Sequence, residues 1–161
     1  MGTEIERKFL VKSDAWRSLG VGKLYRQGYV FKSTGVTVRV RIAGAQGYLT
    51  LKGKAENYAR PEFEYEIPVD DAQEMLDLWC HPRIVEKIRY RIPLGDLVWE
   101  VDEFQGFNQG LVLAEVELSA ADQVVDLPDW VGQEVSEQDR YYNSSLALNP
   151  YSLWAIEDGR S

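Results

Sequence analysis

Residues 3–11 read Thr3-Glu4-Ile5-Glu6-Arg7-Lys8-Phe9-Leu10-Val11, a stretch in which charge and hydrocarbon take turns. A strand sends successive side chains to opposite faces, so Glu4, Glu6 and Lys8 share one face while Ile5, Phe9 and Val11 share the other. The same period of two recurs along the chain, over roughly Gly22–Lys32, Val36–Ala43, Gly47–Lys54, Pro61–Val69, Ile84–Ile92, Leu97–Phe104 and Leu111–Ser119. Short connections such as Ser33-Thr34-Gly35 and Gly44-Ala45-Gln46-Gly47 favour antiparallel neighbours, and therefore a barrel or a sandwich. Helices are few. A turn or two is expected over Asp14–Leu19, a helix over Asp70–Trp79 and a short one over Ala120–Val125. A longer helix is expected from Ser136, which with Asp139 resembles a capping box, to about Leu148. Residues 149–161 read as a loosely ordered tail that Trp154 docks.

The polar faces of the strands are almost wholly ionic. Arg39 and Arg41 alternate with Val38, Val40 and Ile42; Lys87, Arg89 and Arg91 with Ile88, Tyr90 and Ile92; Glu62, Glu64 and Glu66 with Phe63, Tyr65 and Ile67. Glu100 and Asp102 oppose Trp99 and Val101, Glu115 and Glu117 oppose Val116 and Leu118, and Lys52 opposes Leu49 and Leu51. Period alone fits a sandwich with its polar faces outward equally well. Two details favour a closed barrel with the charges inward. Solvent faces usually mix Thr, Ser and Gln with charge, and here the charges are sorted. Acids fall on the first, fifth, seventh and eighth segments, bases on the third, fourth and sixth. Like charges two apart on one face repel unless counter-charge arrives from outside. A triphosphate carrying a divalent metal supplies both signs: guanidiniums and ammoniums neutralise phosphate oxygens, and carboxylates hold a hard cation, Mg²⁺ or Mn²⁺ rather than zinc.

Composition narrows the alternatives. The chain has 161 residues, a formal net charge of -8, one cysteine (Cys80) and one histidine (His81). That excludes an intramolecular disulfide, a Cys/His zinc site and any convincing Ser-His-Asp device. The acidic balance argues against nucleic acid or an anionic membrane as partner. No apolar run approaches a membrane span and the first residues are no secretory signal, so a cytoplasmic protein is expected. Chemistry must come from carboxylates, Lys, Arg and Tyr.

The Glu4-Ile5-Glu6-Arg7-Lys8 run matches the ExExK motif of the CYTH superfamily, the triphosphate tunnel metalloenzymes. It is followed in family order by RVR at Arg39–Arg41, TLK at Thr50–Lys52, RPEFE at Arg60–Glu64 and EKIRY at Glu86–Tyr90. WEVDEF at Trp99–Phe104, AEVEL at Ala114–Leu118 and RYYN at Arg140–Asn143 complete the set. The chain resembles that family, and small bacterial inorganic triphosphatases in particular, over about residues 1–148, read as a single tunnel domain. The resemblance implies a mainly β, α+β fold: an eight-stranded antiparallel closed barrel with a few peripheral helices. It implies metal-side carboxylates at Glu4, Glu6, Glu115 and Glu117, supported by Glu62, Glu64, Glu100 and Asp102. It implies a triphosphate cradle of Lys8, Arg39, Arg41, Lys52, Lys87 and Arg89. The chain departs from the family at Gln138, where an Asp is frequent; Asp139 follows.

The expected reaction is metal-dependent hydrolysis of inorganic triphosphate to pyrophosphate and phosphate, by in-line attack of water. Lys52 is the candidate base, its pKa lowered by Arg39 and Arg41, with Tyr29 hydrogen-bonded to it. The alternatives are a triphosphatase for an organic ester, thiamine triphosphate or a nucleotide, and a non-catalytic polyphosphate-binding sensor. Outward-facing apolar residues such as Phe63 and Tyr65 predict a homodimer.

Overall fold

The computed structural model describes residues 2–154. Its strands fall on the alternating segments: β1 (Gly2–Val11), β2 (Gly22–Lys32), β3 (Val36–Ala43), β4 (Gln46–Gly53), β5 (Ala59–Ile67), β6 (Val85–Leu94), β7 (Leu97–Phe104) and β8 (Val112–Glu117). A further short strand, β9 (Val131–Glu134), follows them. Neighbours run β5-β4-β3-β2-β6-β7-β8-β1-β9, and β5 returns to pair with β1. Eight antiparallel strands therefore close a barrel, as the resemblance implies. The sequence reading missed β9, because four residues are too few to show a period.

Closure depends on how β1 divides one edge. Its first half pairs with β5, Gly2 opposite Glu62 and Ile5 opposite Ala59. Its second half takes β9, Phe9 opposite Glu134 and Val11 opposite Val131. Arg7, on the outer face as alternation predicts, locks that junction with a bidentate pair to Glu134 at 2.9 and 2.7 Å.

Three apolar clusters hold the barrel. The first lies outside β1, β7 and β8, where Phe9, Trp99, Val101, Ala114 and Val116 are covered by Trp16, Trp130 and Val131. The second lies outside β3 and β4, where Val40 and Ile42 meet Ala72, Leu76 and Cys80. These come from α1 (Val69–Met75) and the π turn Leu76–Cys80 that continues it. Asp70 and Asp71 sit in the first turn of α1, where the helix dipole favours negative charge. Gly28 allows this approach, since a Cβ there would stand 2.5 Å from the Cys80 Cβ. The third cluster is the floor of the barrel: Val85, Phe104, Leu111 and Leu113 meet Val135, Leu146 and Trp154. Inward rows thus pass from charge to hydrocarbon: Glu4-Glu6-Lys8-Leu10 on β1, Glu117-Glu115-Leu113 on β8, Glu100-Asp102-Phe104 on β7.

Two helix expectations fail. Residues 120–125 form a turn closed by Gln123 N–H to the Ala120 carbonyl at 3.1 Å, with the Gln123 side chain taking the Ser119 N–H at 2.7 Å. The long helix after Ser136 is broken into a 3₁₀ turn, Asp139–Tyr141, and α2 (Asn143–Leu146). Ser136 caps nothing: its Oγ accepts the Lys8 N–H at 2.9 Å and donates to Glu134 at 2.6 Å. The hydroxyl fastens β1, and the C-terminal residues follow the barrel rim instead of a helical axis. Beyond them Tyr151–Leu153 makes a 3₁₀ turn and Trp154 is buried in the floor, so the start of the tail is anchored. The remainder of the tail lies outside the described residues.

Candidate active site

The strand order sorts the charges into two walls. β7, β8, β1 and β5 are neighbours and carry the acids; β4, β3, β2 and β6 are neighbours and carry the bases. Between them lies a cavity of about 310 Å³. Every residue assigned to the metal side, the cradle or catalysis lines it except Asp102, which is wholly buried behind Lys87 and Arg89; Glu66 and Arg91, near strand ends, do not.

Where the walls meet, the charges cancel. At the β4–β5 seam Lys52 Nζ stands 2.7 Å from Glu4 and 3.3 Å from Glu62, and Arg39 reaches Glu64 at 3.3 Å. Thr50 donates to the same Glu64 oxygen at 2.9 Å. At the β6–β7 seam Asp102 takes Lys87 at 2.8 Å and Arg89 at 2.7 Å, and Arg89 also reaches Glu100 at 3.3 Å. Burial would raise the Asp102 carboxyl, but Arg89 and Lys87 outweigh it and hold that group below its usual range. Lys87 is pushed down to about 7 by burial and by Arg89. Lys8, the base on the acidic wall, pairs with Glu115 at 3.1 Å.

Away from the seams each wall keeps charge that the other does not cancel. Among the described residues Arg41 has no carboxylate partner; burial, Arg39 and Arg89 push it down to about 10, so it remains a cation at neutral pH. Its Nε donates to Gln27 at 2.8 Å and its guanidinium lies 4.9 Å from the Tyr25 ring. On the acidic wall Glu6 sits opposite Glu117, and Glu100 opposite Glu115. Like charges directly across a ladder repel. Burial together with Glu115 and Glu4 raises the Glu6 carboxyl well above its usual range, and burial with Glu4 and Glu100 raises Glu117. These are hard oxygen donors with uncancelled repulsion, which a divalent cation would relieve. No three carboxyl groups among the described residues are already drawn into a cage. Glu4 is turned toward Lys52 instead.

Two expected contacts are not made. Lys52 faces the carboxylates of Glu4 and Glu62, not the guanidiniums of Arg39 and Arg41. The Tyr29 hydroxyl accepts from Gln27 Nε2 at 3.0 Å and forms no bond with Lys52. Sequence reasoning also passed over lumen residues. Lys23, Tyr25 and Tyr48 line the cavity, as do Arg60, Tyr142 and Asn143. The inward parity of Lys23, Tyr25, Gln27 and Tyr29 on β2 was readable, but a row with Lys23 as its one charge gave no alternating charge signal. Tyr142 and Asn143 belong to RYYN, read only as part of a helix.

The CYTH domain matches residues 2–148. The inorganic triphosphatase of Acetivibrio thermocellus is 50% identical over 151 residues, spanning 94% of this chain and 97% of its own. The inorganic triphosphatase of Nitrosomonas europaea is 41% identical over 153 residues, spanning 91% and 98%. A crystal structure of an inorganic triphosphatase is similar with a TM-score of 0.63 and 37% identity, covering 92% of this chain and 96% of that one.

Proposed function

Since the chain belongs to the CYTH domain family, we propose that it hydrolyses inorganic triphosphate to pyrophosphate and phosphate inside its charged lumen. The observation that carries this reading is the residual charge of the walls. After internal pairing among the described residues, Arg41 faces the lumen with no carboxylate partner, and Glu6 and Glu117 face it with no ion-paired cation. A polyanion bearing a divalent cation complements both.

In this reading Arg39, Arg41, Lys87, Arg89 and Lys8 take the phosphoryl oxygens, and the guanidiniums do so with paired N–H donors. Glu4, Glu6, Glu115 and Glu117 would hold Mg²⁺ or Mn²⁺. Bound there, the metal supplies charge neutralisation and a lowered pKa for water. Water attacks the terminal phosphorus opposite the bridging oxygen. A phosphorus–oxygen bond forms, the bridging bond breaks, and its electron pair leaves with pyrophosphate. The water proton goes to the Lys52–Glu62 pair, whose atoms lie 3.3 Å apart. The Glu62 carboxyl, pushed up to about 7 by the hydrogen bond it donates to Glu4 and by burial, is suited to share it.

Among the described residues no helix is long and apolar enough to cross a membrane. The reading places the enzyme in the cytoplasm, with triphosphate and not nucleic acid as its partner. On the outer face Phe31, Val38, Leu51 and Phe63 stand opposite one another across β2, β3, β4 and β5. Phe31 is 52% exposed. We take this row as the contact of a homodimer; sedimentation giving only monomer at micromolar concentration rejects that.

Phosphate release from inorganic triphosphate, ATP and thiamine triphosphate, with Mg²⁺, Mn²⁺ or EDTA, tests the function. EDTA-sensitive cleavage of inorganic triphosphate, lost in Glu6→Gln, is expected. Preference for ATP or thiamine triphosphate would move the protein to the organic-ester reading. Binding without turnover would make it a sensor.

A further inference from the structure

β2 is the odd member of the basic wall. It lies between β3, with Arg39 and Arg41, and β6, with Lys87 and Arg89. Yet three of its inward residues, Tyr25, Gln27 and Tyr29, are neutral. Tyr25 and Gln27 touch charge on their flanks. The Tyr25 ring is flanked by Arg41 at 4.9 Å and Arg89 at 5.1 Å. Gln27 stands in register with Arg41 and is fully buried, although it carries a carboxamide.

Every polar atom of Gln27 is engaged. Oε1 accepts the Arg41 Nε–H at 2.8 Å. Nε2 donates to Tyr29 Oη at 3.0 Å and to Asn143 Oδ1 at 3.3 Å. That Asn143 oxygen also accepts from Lys87 Nζ at 2.9 Å. The amide is therefore a hub linking a guanidinium of β3, an ammonium of β6 and the first residue of α2. A neutral amide suits the place. A carboxylate there would cancel the Arg41 charge, and an apolar side chain would leave Arg41 free to swing among rotamers. Holding Nε from behind leaves the other guanidinium nitrogens for the lumen.

We propose that Gln27 is a positioning residue for triphosphate binding, aiming Arg41 into the lumen while leaving its charge uncancelled, and tying that aim to α2 through Asn143. The inference rests on the triphosphate reading and deepens it. Gln27 acts only through Arg41 and touches no substrate.

The test is a mutant cycle read by KM and kcat for inorganic triphosphate and by calorimetric titration of triphosphate into metal-free protein. Gln27→Met removes the hold, and Gln27→Glu keeps the shape but gives Arg41 an internal counter-ion. Losing a hydrogen bond to a charged group predicts KM and Kd about tenfold higher in Gln27→Met, with kcat nearly unchanged. Gln27→Glu is expected to weaken binding at least as much while melting no lower than wild type, and it carries the test alone if Gln27→Met fails to fold. In an Arg41→Ala background both substitutions at Gln27 are expected to leave KM and Kd where Arg41→Ala alone puts them. Wild-type affinity in Gln27→Glu, or an undiminished effect in the Arg41→Ala background, overturns the inference and leaves the triphosphatase reading standing. Wild-type protein that neither binds nor hydrolyses triphosphate overturns both.

Discussion

Arg89 grips Asp102 along one edge of its guanidinium, Nε to Oδ1 at 2.7 Å and Nη2 to Oδ2 at 2.8 Å, with Asp102 wholly buried and Arg89 opening only onto the lumen. Lys87 adds a third bond to the same carboxylate at 2.8 Å. Asp102 is thus a counter-ion beneath the lumen, not a ligand in it. Removing one member of a buried ionic cluster strands the others, at a cost of about 3–5 kcal/mol. Asp102→Asn is expected to lower the urea-denaturation free energy by about that amount. A change below about 1 kcal/mol would place Asp102 outside the structural role assigned here.

Arg41 predicts the opposite balance. It is half-buried beside Arg39 and Arg89 with no carboxylate partner among the described residues, so it costs the empty fold stability. Arg41→Ala is expected to unfold at equal or higher urea concentration than wild type while losing at least about tenfold in kcat/KM for triphosphate. A variant that is both less stable and fully active reverses the assignment.

The acidic wall sets a pH dependence. Glu62 titrates at about 7 against an ordinary value of 4.5, and Glu6 and Glu117 are raised as well. Between these limits the folded chain holds protons that the unfolded chain has released, so stability falls as pH rises from about 4.5 to 7. Carboxyls held low, such as Asp102 and Glu115, lose their contribution only below that window. Metal-free protein is expected to melt progressively lower from pH 5 to 7, and saturating Mg²⁺ to flatten the slope. Equal slopes with and without Mg²⁺ would remove the cation from this wall.

The barrel was legible because its chemistry repeats. Alternation placed Glu4 and Lys8 inward and Arg7 outward, and the sorting of acids and bases anticipated two contiguous walls. Strand order could not be read from period, so the sequence did not show that Lys52 would land beside Glu4 and Glu62. Gln27 was invisible for another reason: its importance lies in being uncharged among charges. Ser136 misled because a capping signature and a β1 anchor use the same hydroxyl.

Trp154 carries a prediction about the chain's end. It is buried against Tyr141 and Tyr151, with ring centroids 5.1 Å away in both cases, and its indole N–H reaches the Asn149 carbonyl at 3.1 Å. Trp154→Ala is expected to cost about 3–5 kcal/mol, measured by urea denaturation. Because the same floor supports Lys87 and Asn143, activity should fall with it. Full stability without Trp154 would show that the floor holds without its end piece.

The divided edge of β1 bears on how the molecule is made. Arg7 and its partner Glu134 are 127 positions apart, and the other neighbours of β1 come from β5 and β8. β1 therefore waits for nearly the whole of the domain that follows it before it is fully paired. Long-range pairing of this kind is slow. Glu6 faces Glu117 across the β1–β8 ladder, so the acidic wall is complete only after the basic one, whose last strand, β6, ends at Leu94. Catalytic competence arrives in one late step, with the closing of the ring.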